Sequence, residues 1–452
     1  MEIYIKVYSI CLQNKIMKKI NSGQSLYHKA KKIILGGNML LSKRPEMFLP
    51  NLWPSYFKKS KKIYVTDLDD NKYIDMICAV GTCILGYANN KVDKDIKKII
   101  GNGIMSTLNC PEEVQLTDKL LKIHKWADKA KYCRSGGEAN SLAIRIARCA
   151  AKKENIAICG YHGWHDWYLA GNFKKNQLKN HILPNLKTLG VPKKLKNTIF
   201  TFDYNNEKQL IQLIKNKKIG IIKMEIARNN LPNIKFLKFV RNLANKNNII
   251  LIFDECTTGF RRNLGGMHLL TGVNPDMLML GKTIGNGYAI TTVLGKNKIM
   301  KKAEESFISS TFWTERIGFA AALSSIQYFE TSKPWKKLIN NGKYLNKELI
   351  RIAKENNLEI KISGYESITS FTFLSPFSRY FKTYMTQEML KKGYLASTLF
   401  YLTIHHNKKV IDQFIKKLNG IFKFLGSIKN LSQIKNKLNT SLSHQTFERL
   451  KD

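Results

Sequence analysis

The sequence has no Cys-x-x-Cys pair, and its eight cysteines, at 11, 78, 83, 110, 133, 149, 159 and 256, form no full set of metal ligands with neighbouring histidines. That excludes a thiolate zinc centre and any other metal site of readable spacing. Several cysteines sit inside apolar segments, as in IAIC at 156–159, and read as buried thiols in a reducing cytoplasm. A hydrophobic run long enough to span a membrane is also missing, and Lys6, Gln13, Asn14 and Lys15 break up the only stretch that could resemble a signal peptide. No membrane partner is expected. Acidic residues are few, 33 against 75 Lys and Arg, and the resulting charge of +42 raises nucleic acid as a partner. Yet the lysines are scattered, in runs no longer than pairs such as Lys58-Lys59 and Lys336-Lys337, and arginine is scarce beside lysine. Readers of nucleic acid use concentrated, arginine-containing patches, so no nucleic-acid partner is expected either.

What the chain does have is bulk and alternation. Its 452 residues are 44% apolar, enough for one large domain with a smaller companion. Residues 1–20 read as an extension. A helix follows, then an irregular stretch from Leu35 to Pro54, then IYVTDLDDNKYIDMI at 63–77, which reads as a hairpin turning at Asp69-Asp70-Asn71. Helices are expected over Lys91–Gly101 and Glu112–Trp126. From there strands and helices alternate to about residue 300, with strands at 131–133, Ile156–Cys159, Thr198–Phe202 and Ile219–Glu225, the pattern of a doubly wound, mostly parallel sheet.

The stretch IILIFDECTTGFRRNLGGMHLLTGVNPDMLMLGKTIGNG, Ile249 to Gly287, organises the rest. Five apolar residues without alternation stop at Asp254, as in a strand buried on both faces with a carboxylate at its carboxyl end. A second apolar run, Met277–Leu280, ends at Gly281-Lys282, which brings a lysine to the same rim, where open parallel sheets bind ligands. Upstream, Ser135-Gly136-Gly137 opens the helix of 138–153 and could cradle a phosphate on its backbone amides. The strand Ile156–Cys159 delivers GYHGWHDW, whose first ring, Tyr161, could stack on a flat cofactor.

In this order SGGEA (135–139), GYHG (160–163), ME (224–225), FDECTTGFR (253–261) and PDMLMLGKTIGNG (275–287) resemble the class-III pyridoxal-phosphate aminotransferases, in the branch that resembles glutamate-1-semialdehyde aminomutase. The resemblance covers roughly residues 20–425. It implies an α/β type-I fold for pyridoxal-phosphate enzymes, with Lys282 as the Schiff-base lysine, Asp254 as partner of the pyridine nitrogen and Tyr161 as the stacking ring. Ser135, Gly136 and Gly137 would form the phosphate loop, and His162, Glu225 and Thr257 would border the cofactor. Thr311, in ISSTFWTERIG, matches a threonine that relatives send across a homodimer interface to the same phosphate. The chain departs from the family pattern at Gly137, where relatives commonly carry Ser or Thr, at Glu225-Ile226 instead of Glu-Pro, and after Thr311, where Phe312-Trp313-Thr314 follows.

The expected architecture is a large cofactor domain at 63–320 and a small domain from 21–62 and 321–428, with a tail at 429–452. The small domain would contain a strand at 367–375 and an amphipathic helix at 408–425. The expected reaction is amino transfer from a small-molecule amino donor to an aldehyde or ketone acceptor. An intramolecular aminomutase is the alternative, and a catalytically silent ligand-binding relative is disfavoured because both Asp254 and Lys282 are retained.

Overall fold

The computed structural model describes residues 21–173, 178, 187–227 and 230–444. The extension at 1–20, much of the loop 164–190 and the end of the tail, 445–452, lie outside the described residues. Three short strands come first, β1 (Phe57–Lys61), β2 (Tyr64–Asp67) and β3 (Lys72–Asp75), paired antiparallel. The large sheet follows, from β4 (Lys129–Cys133), β5 (Ile156–Cys159), β6 (Ile199–Thr201), β7 (Ile221–Glu225), β8 (Ile250–Glu255), β9 (Met277–Leu280) and β10 (Thr291–Gly295). Its order is β4-β10-β9-β8-β7-β5-β6, and β10 alone runs antiparallel to its neighbours.

The central strands are apolar throughout because helices cover both of their faces. On one face the helix Gly136–Ala151 packs Ala139, Leu142, Ala143 and Ile146 with Ile158, Ile252 and Met279. On the other, Phe236, Leu237 and Val240 of the helix Ile234–Lys246 join the cluster of Ile222, Met224, Leu251 and Phe253. Strands β5 to β9 run parallel, so the strand ends after β5, β7, β8 and β9 gather at one edge. In register, Glu225 lies beside Asp254 and Asp254 beside Met279, a row along that edge.

The C-terminal part forms a second antiparallel sheet from β11 (Ile360–Tyr365), β12 (Ile368–Phe373) and β14 (Leu399–Tyr401), in the order β11-β12-β14. Helices Trp335–Glu355 and Lys408–Gly426 bury Leu345, Leu349, Phe414 and Leu418 against its core. The two-residue strand β13 (Tyr394–Leu395) pairs parallel with β3, so the first sheet draws on residues from both ends of the chain. The ends are also tied directly: His444 N donates to Glu46 O at 2.7 Å, Thr440 Oγ1 donates to Pro50 O, and Arg379 Nε donates to Ser443 O at 2.8 Å.

Most expected elements are found within a residue or two, with three differences. The strand expected to stop at Asp254 runs on through Glu255. The helix expected over 112–126 spans Pro111–Ile123, because His124 leaves helical geometry and is buried in a cluster of rings with Trp126 and His268. Residues 57–61, read as loop, form β1, and the β1–β2 pairing bridges residues 62 and 63, where the sequence places a domain boundary.

Two glycines in the small-domain helices give opposite expectations. A Cβ at Gly342, in the helix Trp335–Glu355, would lie 1.7 Å from the backbone oxygen of Glu366, whereas a Cβ at Gly420, in the helix Lys408–Gly426, meets nothing within 4 Å. Gly342→Ala is expected to cost at least about 2 kcal/mol through overpacking against backbone. Gly420→Ala is expected to add about 0.5–1 kcal/mol by removing a glycine from a helix interior. Urea unfolding midpoints of the two variants, compared with the parent chain, check both signs.

Candidate active site

Asp254, the penultimate residue of β8, has 5% of its surface exposed, and each of its oxygens has a donor. Cys256 N donates to Oδ1 at 3.1 Å, and His162 Nδ1 lies 3.0 Å from Oδ2. An ionised carboxylate only accepts, so the histidine proton sits on Nδ1. Lys223 Nζ stands 3.8 Å from the same Oδ2. Burial pushes the Asp254 pKa up, but Lys223 and His162 outweigh burial and hold the carboxyl well below the usual carboxylate range.

The neighbouring acid faces the other way, as alternation along a strand requires. Glu255 accepts from Thr258 Oγ1 at 2.7 Å, from His268 N at 2.9 Å and from Met267 N at 2.5 Å, and lies 2.7 Å from His268 Nδ1. Trp126 Nε1 donates to His268 Nε2 at 2.9 Å. This network closes the loop 256–268 over the back of the sheet and so fixes Thr257 at its front.

Lys282 follows β9 after one glycine, with φ of 44°, a backbone region costly for a residue with a side chain. Its Nζ donates to Thr257 Oγ1 at 2.7 Å. Burial lowers the lysine pKa and the guanidinium of Arg261 lowers it further, which favours the neutral amine. Arg261 is held in place by Thr257 O, at 2.6 Å from Nε, and by Gly81 O.

The loop after β5 packs over the same edge. Gly160 has φ of 109°, and a Cβ there would lie 2.6 Å from Glu225 Oε2, so glycine lets the loop approach β7. Tyr161 N then donates to Glu225 Oε2 at 2.9 Å. The Tyr161 ring is 46% exposed and meets Tyr168 edge-on at 6.1 Å, while His162 is fully buried and near-parallel to Trp167 at 6.5 Å.

Ser135 caps the helix Gly136–Ala151 in a reciprocal box: Glu138 N donates to Ser135 Oγ at 3.4 Å, and Ser135 N donates to Glu138 Oε2 at 2.9 Å. The first-turn amides at Gly136 and Gly137 have no acceptor within the helix, as at any helix start. A Cβ at Gly137 would lie 3.0 Å from His165 Nε2, and one at Gly136 would lie 3.9 Å from Cys256 Sγ, so a small-residue cradle sits beside the Asp254 loop.

Thr311 is exposed at the start of the turn Thr311–Thr314, which Arg134 anchors by donating from Nε to Phe312 O at 2.6 Å and from Nη2 to Trp313 O at 3.0 Å. Trp313 Nε1 adds a bond to Glu138 Oε1 at 3.2 Å. The structure thus brings Asp254, His162, Lys282, Thr257, Tyr161 and Glu225 to one edge beside Ser135, Gly136 and Gly137. Thr311 contacts neither Lys282 nor Asp254 in the same chain.

Three residues here were not singled out from sequence. Glu138 was readable from the Ser-x-x-Glu capping spacing, and Lys223 from its interruption of an otherwise apolar strand. Arg134 carried no such signal.

A buried acid at one strand end, a buried lysine after the next and a glycine-lined helix start fit a cofactor with a pyridine nitrogen, an aldehyde and a phosphate. Comparison with known proteins agrees. Residues 51–399 match the family model for aminotransferase class-III. The chain is 31% identical over 398 residues to a 3-aminobutyryl-CoA aminotransferase of Cloacimonas acidaminovorans (strain Evry), covering 86% of this chain and 92% of that protein. It is 32% identical over 441 residues to a glutamate-1-semialdehyde 2,1-aminomutase of Wigglesworthia glossinidia brevipalpis, covering 90% and 99%. Among solved structures, the FumI protein of Sphingopyxis sp. MTA144 has the same fold, with a TM-score of 0.81 at 21% identity, covering 90% of this chain and 98% of that one. A family match over this much of the sequence, on a site of this chemistry, makes the chain a member of the class-III aminotransferases, pyridoxal-phosphate enzymes of type-I fold that transfer amino groups.

Proposed function

We propose that the enzyme moves an amino group between separate donor and acceptor molecules, with Lys282 as the residue that holds pyridoxal phosphate covalently and Asp254 as the partner of its ring nitrogen. The observation that carries this is the placement, at the ends of adjacent strands, of a buried carboxylate bonded by Cys256 N and His162 and of a lysine whose Nζ donates to Thr257 Oγ1. When bound, the cofactor supplies an aldehyde that takes up amino groups and a ring that accepts electron density from the substrate α-carbon. Lys282 Nζ, once released by an incoming amine, is the base at hand to move the α-proton. Thr257 Oγ1 orients that amine, and Glu225 fixes Tyr161 as the ring's cover. The amides of Gly136 and Gly137, with Ser135, hold the phosphate, and the backbone suffices at Gly137, which lacks the hydroxyl common in relatives.

The working unit in this reading is a homodimer, in which Thr311 completes the partner's phosphate site. Supporting it, apolar side chains at Leu108, Met105, Val114, Phe307 and Phe312 are exposed. Arg316 N, just after the Thr311 turn, donates to Ile104 O at 3.0 Å, which joins two of these segments. A cytoplasmic location agrees with the seven cysteines unpaired among the described residues. The small domain proposed from 21–62 and 321–428 is supported by the cluster that Leu49 and Trp53 form with Leu395.

Single amino compounds offered to the cofactor-loaded protein test the reaction. At least one external donor is expected to convert the cofactor to its amine form, and Lys282→Ala is expected to convert none catalytically. Turnover confined to a substrate rearranged within one molecule would replace transamination by the aminomutase reaction.

Asp254→Asn is expected to keep the cofactor attached but to slow the single-turnover loss of its lysine-linked absorbance by on the order of 100-fold or more, since the amide no longer holds charge on the ring nitrogen. Rates within a few-fold of the parent would make Asp254 a structural acid.

Shared sites give a third expectation. Mixed dimers of Lys282→Ala and Thr311→Ala chains should contain one site free of both lesions and recover activity above either parent; a verified heterodimer without recovery would show that each site is self-contained.

A further inference from the structure

Lys223 is the one basic residue of β7, Ile221–Glu225, and its side chain is fully buried. It shares a sheet face with Ile221, Ile252 and Met279, on which the helix Gly136–Ala151 lays Ala139, Leu142, Ala143 and Ile146, none of them titratable. A lysine can usually carry its charge to solvent along its own stem, but at 0% exposure this one cannot. Its Nζ has two polar neighbours: Met279 Sδ at 2.9 Å, a weak acceptor, and Asp254 Oδ2 at 3.8 Å. A buried ammonium persists only with a countercharge, and Asp254 is the only carboxylate within ion-pair distance among the described residues.

We infer that Lys223 is a positioning residue for Asp254, which holds that carboxylate ionised and aimed from below and weakens the grip of the site on the cofactor's protons. The inference rests on the proposed role of Asp254. Two donors and one cation then fix the acid before any cofactor arrives: His162 Nδ1 at Oδ2, Cys256 N at Oδ1, and Lys223 as an ion pair 3.8 Å from Oδ2. The charge of Lys223 also offsets part of the field that Asp254 sends to the ring. A carboxylate alone stabilises a protonated ring strongly, and one already paired with an ammonium does so less. The other titratable groups facing this acid and its lysine neighbours are Glu225 on β7, Cys256 and Arg261 on the loop after β8, His162 after β5 and Lys282 after β9. None of these is changed by substituting Lys223.

Removing a cation beside a protonated group raises the pH at which that group releases its proton. The measurement is the pH-dependent absorbance change of the resting, cofactor-loaded enzyme. In Lys223→Met, which keeps the volume, and Lys223→Gln, which keeps polarity, the midpoint should rise by roughly one pH unit. In an Asp254→Asn background nothing keeps Lys223 charged, so adding Lys223→Met should move the midpoint by less than about a third of that. Borohydride reduction and peptide mapping accompany each sample. Cofactor on Lys282 with a midpoint within about 0.2 unit of the parent in both single variants would overturn the inference while leaving the catalytic reading intact. Cofactor on another lysine would overturn that reading itself. Failure of both single variants to fold would equally overturn the inference, since it would make Lys223 a packing residue instead of an electrostatic one.

Discussion

The structure depends on keeping one negative charge, that of Asp254, inside the sheet. A carboxylate there is tolerated only with donors on both oxygens, and here each donor comes from a different element. The Cys256 amide exists where it does because the chain turns immediately after β8. The His162 ring reaches the acid because Gly160 lets its loop lie against Glu225, and Lys223 arrives from the adjoining strand. Shifting any of these elements by one residue would leave a buried charge without partners, which is a stronger constraint on register than apolar packing alone supplies.

Two consecutive acids divide the labour of the two faces. Asp254 points to the side where the glycine-opened helix begins, and Glu255 points to the opposite side, into Thr258, Met267 and His268. The second network has no chemistry of its own. By closing the loop 256–268 it sets where the Thr257 hydroxyl meets Lys282, so the rear of the sheet determines geometry at the front.

Much of this was legible because strand ends are legible. An apolar run that stops at an acid, and another that stops at Gly-Lys, identify the edge and its two reactive groups without knowledge of strand order. Strand order itself was not readable: nothing in the buried run Thr291–Gly295 marks it as the strand that runs against the others. β1 escaped notice because FKKSK is polar and exposed and is held by pairing alone. Lys223 was legible only as a break in an apolar run: in a chain with 75 Lys and Arg its weight depends on its burial, which the sequence does not give. The role proposed for Thr311 belongs to a contact between chains, for which one sequence offers only a match to a motif.

The pairing of β3 with β13 joins Ile74 to Tyr394, and the bonds from Thr440 and His444 reach back to Pro50 and Glu46. On a ribosome, where the amino-terminal part emerges first, these partners are separated by more than three hundred residues of chain not yet made. The large sheet draws only on residues 129–295 and can assemble during synthesis, whereas the sheet of β1, β2 and β3 waits with an open edge until translation is nearly complete. The charged turn Asp69-Asp70 and the exposed Lys72 sit at the start of that waiting β3 edge, where charge disfavours pairing with other nascent chains.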